Sequence, residues 1–292
     1  MINYYELLKN NPANFKQFSC KELLFLNYDC PVKDKKIAKW SEHNYIYYVL
    51  SGQKTFHTPG RSWTLQKGTA VFVKRGACIV EQFFREPFCI VVFIMPDSFI
   101  RTFMSENKNL LQIDTKEEAA NDLVIPVDAD EVMKAFYDSV LPYFTSEIKP
   151  PENLVELKFK ELLLNIIRNP INKELIAYMQ SLVKRSESSL EQVMEMNYAY
   201  NLQLEAYAQL SNRSLSSFKR DFQEIYRTTP GRWLLQKRLQ YASMLLTTTD
   251  KPVSDITLES GFENIAHFSR VFKEKFGISP LQYRKHQEST TV

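Results

Sequence analysis

The distribution of apolar residues divides the chain into a strand-like part and a helix-like part. Between residues 21 and 95, short segments rich in Tyr, Val, Ile, Phe and Thr, such as NYIYYVL, TAVFV and FCIVVFIM, alternate with the turn signals SGQ, PGR, KG and KRG. Aromatic and β-branched residues favour strands, and many short strands at regular spacing are typical of a barrel or sandwich. This region is therefore predicted to form a β-barrel.

From residue 97 onward the apolar positions recur at helical spacing. DSFIRTFM and DADEVMKAFYDSVLPYFTSEI predict helices on either side of a short LVIPV strand. After Pro150 and Pro151, the segment ENLVELKFKELLLNIIRN carries one apolar stripe. The members of the stripe are Val155, Phe159, Leu162, Leu163, Ile166 and Ile167. The stripe requires a partner surface, and two interpretations stay open: the helix packs on its own domain, or it forms the seam of a homodimer.

The polar stretch KRSESS, residues 184 to 189, separates this region from a C-terminal part with helical patterns and no strand signal. A chain of 292 residues is long enough for two domains with separate cores. We therefore expect an α+β protein of two domains. The first spans residues 1–183, with a barrel at about 21–95 and helices at about 97–183; a linker at 184–190 leads to an all-α domain at 191–292.

The C-terminal part contains an internal repeat with a period of 50 residues. FKRDFQEIYRTTP at 218–230 matches FSRVFKEKFGISP at 268–280, with aromatic, Arg, Glu and Pro residues in register. Each copy follows a short helical segment and a turn, and the offset before the turn is 49, so the second turn is one residue longer. Two helices joined by such a turn form a helix-turn-helix, here present twice.

The second helix of each copy is predicted to have one apolar and one polar side. The apolar sides hold Leu215, Phe218, Phe222 and Tyr226 in the first copy and Ile265, Phe268, Phe272 and Phe276 in the second. A polar face with Arg, Lys and Ser suits the major groove of DNA, because Arg bonds guanine bidentately and Ser or His reaches base edges or phosphates. An ordinary solvated face is the alternative. Gly261 is expected to allow a tight turn that brings Phe262 into the core.

The segment PGRWLLQKRLQYASMLLTTTD between the copies predicts a connecting helix that starts at Pro230. About 18 residues give a rod of roughly 27 Å, which suits two recognition helices near one DNA turn apart, about 34 Å. From Arg213 to Lys285 there are 13 Lys and Arg against 7 Asp and Glu, a balance of +6, while the whole chain carries +3. Charge concentrated on the repeat predicts salt-dependent binding to duplex DNA.

The segments SSFKRDF, TPGRWLLQKRLQYASMLL and FSRVFKEKFGISP, within residues 204 to 284, carry the spacing of a known family. Here the chain resembles the AraC/XylS family of bacterial transcription regulators. The resemblance implies a two-lobed DNA-binding domain in a regulator, more often an activator, that works with RNA polymerase. The candidate DNA contacts are Arg213, Ser216, Ser217, Lys219, Arg220 and Gln223 in the first copy, and Asn264, Ala266, His267, Ser269, Arg270 and Lys273 in the second.

Three positions depart from the pattern of that family. Thr257 stands where Ala is usual, and Ile265 and Ala266 stand where polar residues that contact DNA bases are frequent. We expect Ile265 to pack in the core, with a thymine-methyl contact by Ile265 or Ala266 as the alternative. In either case the second helix is expected to read DNA with fewer polar contacts than the first.

The N-terminal half is similar, more loosely, to the cupin-type β-barrel of many family members, since EHNYIYYVLSGQKTF and LQKGTAVFVKRG place Gly52 and Gly68 at strand turns. The resemblance implies that the barrel binds a small effector. In the branch that activates type III secretion genes, the partner is instead a protein anti-activator, and LSNRSLSSFKRDF is closer to that branch. The candidate effector pocket consists of His43, Tyr45, Tyr47 and His57.

Composition argues against several other functions. His43 and His57 are the histidines of the N-terminal half and form no His-x-His pair, so a cupin metalloenzyme is disfavoured. The four cysteines lack the spacing of a zinc cluster, which a DNA-repair methyltransferase would need. No apolar run approaches the roughly 20 residues of a membrane span. We expect a cytoplasmic regulator without cofactor, metal or enzymatic activity, with a helical interaction module that binds no DNA as the remaining rival.

Overall fold

A computed structural model describes residues 1–29, 35–83, 87–110, 122–184 and 189–290. The chain divides into two compact units, Met1–Ser186 and Glu187–Val292. In the described residues the first unit combines sheets with helices and the second is helical. This confirms the predicted α+β class. Among the helices described, none has the length and apolarity that crossing a membrane requires.

Two sheets form the first part of unit 1. The strands are β1 (Ile2–Asn3), β2 (Lys16–Cys20), β3 (Leu23–Asp29), β4 (Lys36–Ser41), β5 (Asn44–Ser51), β6 (Gln53–Thr58), β7 (Arg61–Gln66), β8 (Ala70–Val73), β9 (Gly76–Gln82), β10 (Cys89–Met95) and β11 (Val124–Val127). One sheet has the order β1-β4-β9-β6-β7 and the other β11-β8-β5-β10-β3-β2. The second sheet is antiparallel throughout, with Tyr47 of β5 opposite Val92 of β10.

The helices of unit 1 are α1 (Tyr4–Lys9), α2 (Asp97–Glu106), α3 (Glu131–Val140), α4 (Glu152–Ile167) and α5 (Lys173–Lys184). Unit 2 contains α6 (Leu190–Asn197), α7 (Leu204–Leu210), α8 (Leu215–Tyr226), α9 (Pro230–Thr248), α10 (Val253–Glu259), α11 (Ile265–Phe276) and α12 (Pro280–Thr290). The predicted linker at 184–190 runs from the last residue of α5 to the first of α6, and residues 185–188 lie outside the described part.

The six-stranded sheet packs on both faces, and its strand β10 is apolar at every position. In β10, Val92 and Ile94 contribute to a core with residues of the five-stranded sheet, whereas Val91 and Phe93 contribute to a core with the helices. β5 alternates in the same way, with Tyr45 and Tyr47 on the first side. A strand covered on both sides reads as a continuous apolar run, which is the pattern of FCIVVFIM.

The apolar stripe of α4 packs inside its own unit. Its five predicted dimer residues, Val155, Phe159, Leu162, Leu163 and Ile166, are at most 1% exposed. They belong to the core between the six-stranded sheet and the helices, and the Phe159 ring lies 5.2 Å from that of Phe93. The prediction of a dimer seam at these five positions is therefore wrong: the sheet supplies the partner surface that the stripe requires. α4 exposes Leu157 and Leu164 on another face.

Candidate nucleic-acid interface

Unit 2 contains the two predicted helix-turn-helix motifs, α7–α8 and α10–α11. Each turn has a residue in the left-handed region, Asn212 (φ 55°) in the first and Gly261 (φ 81°) in the second. A Cβ atom on Gly261 would lie 2.8 Å from the carbonyl oxygen of Ala199. Phe262 then enters the core, with its ring 5.1 Å from that of Phe268. The predicted role of Gly261 is confirmed.

Both recognition helices begin and end in equivalent ways. The Ser214 hydroxyl caps α8 by accepting from the Ser217 amide at 3.2 Å. The Asn264 side chain caps α11 by accepting from the amides of Ala266 and His267 at 2.8 and 3.2 Å. The left-handed residues Arg227 and Gly277, 50 positions apart, end the two helices. Asn264 therefore has a structural role in addition to any contact with DNA.

Ladders of aromatic rings hold both helices in place. In the first motif the rings of Phe222 and Trp233, at the start of α9, are 6.0 Å apart. In the second motif Phe272 and Tyr283 of α12 are 5.4 Å apart. Trp233 and Tyr283 are again separated by the 50-residue period, so the repeat extends into the helix that follows each motif. Thr257 fits in the core because its hydroxyl donates to the Val253 carbonyl at 2.7 Å.

Most of the candidate DNA contacts lie on the surfaces of α8 and α11. The exposed residues are Ser216, Lys219, Arg220, Gln223, Asn264, Ala266, His267, Arg270 and Lys273, and the half-buried ones are Arg213, Ser217 and Ser269. Phe218, Phe222, Phe268 and Phe272 are fully buried on the opposite sides. The two polar faces are therefore available to a ligand of unit 2.

The expectation that Ile265 packs in the core is wrong, since this side chain is 48% exposed. Phe262 is buried and packs against Phe268, whereas Ile265 lies outside the buried core. The buried stripe of α11 accordingly consists of Phe268, Val271 and Phe272. Ile265 adds an apolar group to an otherwise polar surface.

One carboxylate joins two of the candidate arginines. Asp221 Oδ2 accepts from Arg213 Nε at 3.1 Å, and Asp221 Oδ1 accepts from Arg220 Nε and Nη2 at 3.2 and 3.1 Å. These contacts, with Arg213 contributing most, hold the pKa of the Asp221 carboxyl below its usual value. On α11, Arg270 pairs instead with Glu274, one turn further along, at 3.0 Å.

In unit 2, Asp221 and Arg238 have structural importance that the sequence analysis does not predict. Asp221 is an acidic residue next to Lys219 and Arg220, and this contrast in charge is the feature of the sequence that could have indicated its role. Arg238, in the middle of α9, donates to the carbonyls of Tyr198, Tyr200 and Gly261 at 2.8, 2.7 and 3.2 Å. It thus ties the chain before the first motif to the turn of the second. Its partners are backbone atoms distant in sequence, and no side-chain pattern indicates them.

The candidate effector residues have different surroundings in unit 1. Tyr45 and Tyr47 are buried together, with ring centres 5.0 Å apart. His43 contacts the ring of Tyr5 at 4.3 Å, and burial lowers its pKa. His57 hydrogen-bonds to Ser62 and Glu81 at 2.7 and 3.1 Å. Of these four residues, Tyr47 lines the cleft described next, and His43, Tyr45 and His57 are not part of its lining.

A buried lysine occupies the space between the tyrosine rings. Lys39 is 6% exposed, and its Nζ donates to the Tyr47 hydroxyl at 2.8 Å. The same Nζ lies 3.7 Å from the ring centre of Tyr4 and 4.7 Å from that of Tyr45, distances suited to cation–π attraction. A shallow cleft that opens to solvent adjoins this group. It is lined by Ile2, Tyr4, Leu7, Ile37, Lys39, Tyr47, Lys54, Phe56 and Val80.

A two-lobed helix-turn-helix unit that follows a separate sheet-containing unit is the arrangement of a DNA-binding transcription regulator. Comparisons with known proteins support this class. Residues 44–178 match a family described as the ExsA N-terminal regulatory domain, and residues 207–286 match a helix-turn-helix domain.

LcrF, a thermoregulatory protein of Yersinia pestis, is 25% identical over 92% of this chain and 98% of its own length. ExsA of Pseudomonas aeruginosa is 23% identical over 94% of this chain and 96% of its own. A structure of an apo ToxT variant from Vibrio cholerae is 15% identical over 90% of this chain and 96% of that chain, with a TM-score of 0.42. The two matched domains and these relatives are those of AraC-type transcription regulators, which confirms the resemblance read from the sequence.

Proposed function

We propose that this regulator inserts α8 and α11 into successive major-groove segments of a promoter and activates transcription there with RNA polymerase in the cytoplasm. The observation that carries the proposal is the pair of exposed polar helix faces, each backed by a buried ladder of rings. Arg220 and Arg270 are the candidates for bidentate contact with guanine. Ser216, Lys219, His267 and Lys273 suit base edges and phosphates. A related protein of Yersinia enterocolitica is named a virulence regulon transcriptional activator, which supports activation over repression.

The test begins with the full-length chain and a random duplex library, from which the bound sequences define a consensus. Binding to the consensus and to a scrambled duplex is then measured by fluorescence anisotropy at several salt concentrations. Arg220→Ala is expected to cost about 1–3 kcal/mol of specific affinity. Lys67→Ala, which removes one positive charge from an exposed turn of unit 1, is the matched control and should bind like the wild type. If the library yields no consensus, sequence-specific binding is refuted.

A small-molecule effector is the proposed regulatory input, and the cleft beside Lys39 is its proposed site. The cleft combines aromatic faces with two buried lysines, Lys39 and Lys54, and pockets with few polar groups in an apolar lining are typical of ligand sites. Native mass spectrometry of the full-length protein tests this. A retained mass that Lys39→Met loses and Lys67→Met keeps would support the cleft.

The alternative input is a protein anti-activator, favoured by the match of residues 44–178 to a regulatory domain named after ExsA. Stoichiometric co-purification of a protein, without any bound small molecule, would support this alternative. The same purification distinguishes the two inputs, because native mass spectrometry reports both kinds of adduct.

A homodimer through α4 would use the face of Leu157 and Leu164, which are exposed and seven residues apart, and not the buried stripe. Seven residues place both side chains on one side of the helix, two turns apart. Light scattering of the full chain tests this, with Leu157→Glu and Leu164→Glu expected to give monomers. If both variants keep the mass of the wild type, this face forms no dimer.

A further inference from the structure

Asp221 connects the buried turn of the first motif to the exposed surface of α8. Its Oδ2 accepts from Arg213 Nε at 3.1 Å and from the Ser217 hydroxyl at 3.4 Å, and its Oδ1 accepts two bonds from Arg220. Both carboxylate oxygens are thereby engaged. The side chain of Arg213 is only 17% exposed, whereas that of Arg220 is 75% exposed. One carboxylate therefore joins an anchored guanidinium to an outward-facing one.

The anchored end of this chain of contacts is fixed by the protein core. Arg213 Nη1 donates to the carbonyl of Ser211 at 2.7 Å. Ser211 is fully buried, and its hydroxyl donates to the carbonyls of Tyr207 and Ala208 at 2.9 and 3.0 Å, at the end of α7. The connections run from α7 through Ser211, Arg213 and Asp221 to Arg220, so the position of the Arg220 side chain depends on a rigid turn.

The second motif lacks this connection. The residue 50 positions after Asp221 is Val271, which is buried against the core, and the counterpart of Arg213 is Glu263. Arg270, the counterpart of Arg220, pairs with Glu274, and both side chains are mostly exposed, at 64% and 60%. An exposed pair one helical turn apart restricts its arginine weakly. The repeat thus contains one recognition arginine whose carboxylate partner is anchored to the core through Arg213, and one whose partner is itself exposed.

We propose that Asp221 is a positioning residue that sets the sequence specificity of α8; this inference rests on the proposed function of α8 as a DNA-reading helix. By fixing the plane of the Arg220 guanidinium, Asp221 lowers the entropy lost when Arg220 bonds to O6 and N7 of a guanine. Its negative charge also disfavours phosphate contacts at the same place, which lowers affinity for unrelated DNA. Specificity is a difference between two affinities, and Asp221 acts on both.

The test compares Asp221→Asn with Glu274→Gln in the full-length chain, using the selected consensus duplex and the scrambled duplex. Both substitutions remove one negative charge from a recognition helix and keep the shape of the side chain. Asp221→Asn is expected to lower consensus affinity on the order of tenfold while scrambled-duplex affinity stays equal or rises. Glu274→Gln is expected to keep the ratio of the two affinities close to that of the wild type.

A merely structural role for Asp221 would lower both affinities together, and this outcome would overturn the inference. An unchanged ratio in Asp221→Asn would overturn it as well. In the Arg220→Ala background, adding Asp221→Asn should no longer lower consensus affinity, because that loss acts through Arg220. If Arg220→Ala alone leaves consensus binding intact, both the DNA-reading role of Arg220 and this inference are refuted. If Arg220→Ala weakens binding and Asp221→Asn does not, only the inference about Asp221 is refuted.

Discussion

The two helix-turn-helix motifs of unit 2 share their buried positions and differ on their exposed faces. Phe218 and Phe268, Phe222 and Phe272, and Pro230 and Pro280 are identical pairs in register. On the surface, Lys219 is matched by Ser269 and Gln223 by Lys273, and Asp221 is replaced by the inward-facing Val271. The requirements of packing are the same in both copies, because each recognition helix must be seated on the same kind of core. The surfaces are free to diverge, so each copy can read a different DNA sequence.

The largest expected effect tests whether the two copies are separate folding units. Phe218→Ala and Phe268→Ala should each cost about 3–5 kcal/mol, since each deletes a fully buried ring. Hydrogen exchange of the full chain, followed by mass spectrometry of peptides, should show loss of protection mainly in the altered motif. Equal loss in both motifs after either substitution would mean that the copies form one cooperative unit.

The second prediction concerns the turns, which use different residues for the same backbone conformation. Gly261→Ala should destabilise the second motif by about 1–3 kcal/mol or more, because the new Cβ would meet the Ala199 carbonyl and φ is positive. Asn212→Gly, at the left-handed position of the first turn, should change stability by less than about 1 kcal/mol. Urea unfolding followed by circular dichroism measures both. Similar values for the two variants would contradict the close approach at Gly261.

The sequence was informative where a local pattern determines the structure. The repeat and the positions of Gly261 and Phe262 were predictable because helical spacing and turn length are local properties. The exposure of Ile265 was not predictable, because helical spacing places it on the same side of α11 as the buried Phe268 and Phe272. The partner of the α4 stripe is not predictable from the sequence, since an apolar stripe does not specify which surface covers it. Lys39 was missed because a lysine among strands usually points to solvent.

The third prediction compares the two recognition arginines. Arg220→Ala should weaken consensus binding by about 1–3 kcal/mol, whereas Arg270→Ala should weaken it less, because the second helix presents fewer polar groups near its start. Fluorescence anisotropy with the selected duplex measures both losses under the same salt conditions. A larger loss for Arg270→Ala would reverse the proposed order of the two motifs and would make α11 the main reading helix.

The fourth prediction separates stability from binding at the exposed Ile265. Ile265→Ala should change the free energy of unfolding by no more than about 0.5 kcal/mol, since this side chain is not in the core. If Ile265 contacts a thymine methyl group, the variant should bind the consensus more weakly than the wild type. That difference should disappear on a duplex with uracil in place of thymine. A difference that persists on the uracil duplex would exclude the methyl contact.

The smallest expected effect is a dependence of stability on pH in the first motif alone. Arg213, and to a lesser extent Arg220, hold the pKa of Asp221 below its ordinary value. Because the folded-state pKa is lowered, the carboxylate stabilises the fold at any pH above its unfolded-state pKa, which is near 3.9. This stabilisation is lost as pH falls through the lower folded-state pKa.

Asp221→Asn should therefore be less stable than the wild type above about pH 5, and the difference should shrink as the carboxyl protonates. Urea unfolding across this range measures it, and a constant difference down to the lowest pH would show that the arginine contacts do not depend on the charge of Asp221. Val271, which occupies the matching position in α11, carries no titratable group, and the hydrogen-exchange protection of the second motif should not respond to the substitution.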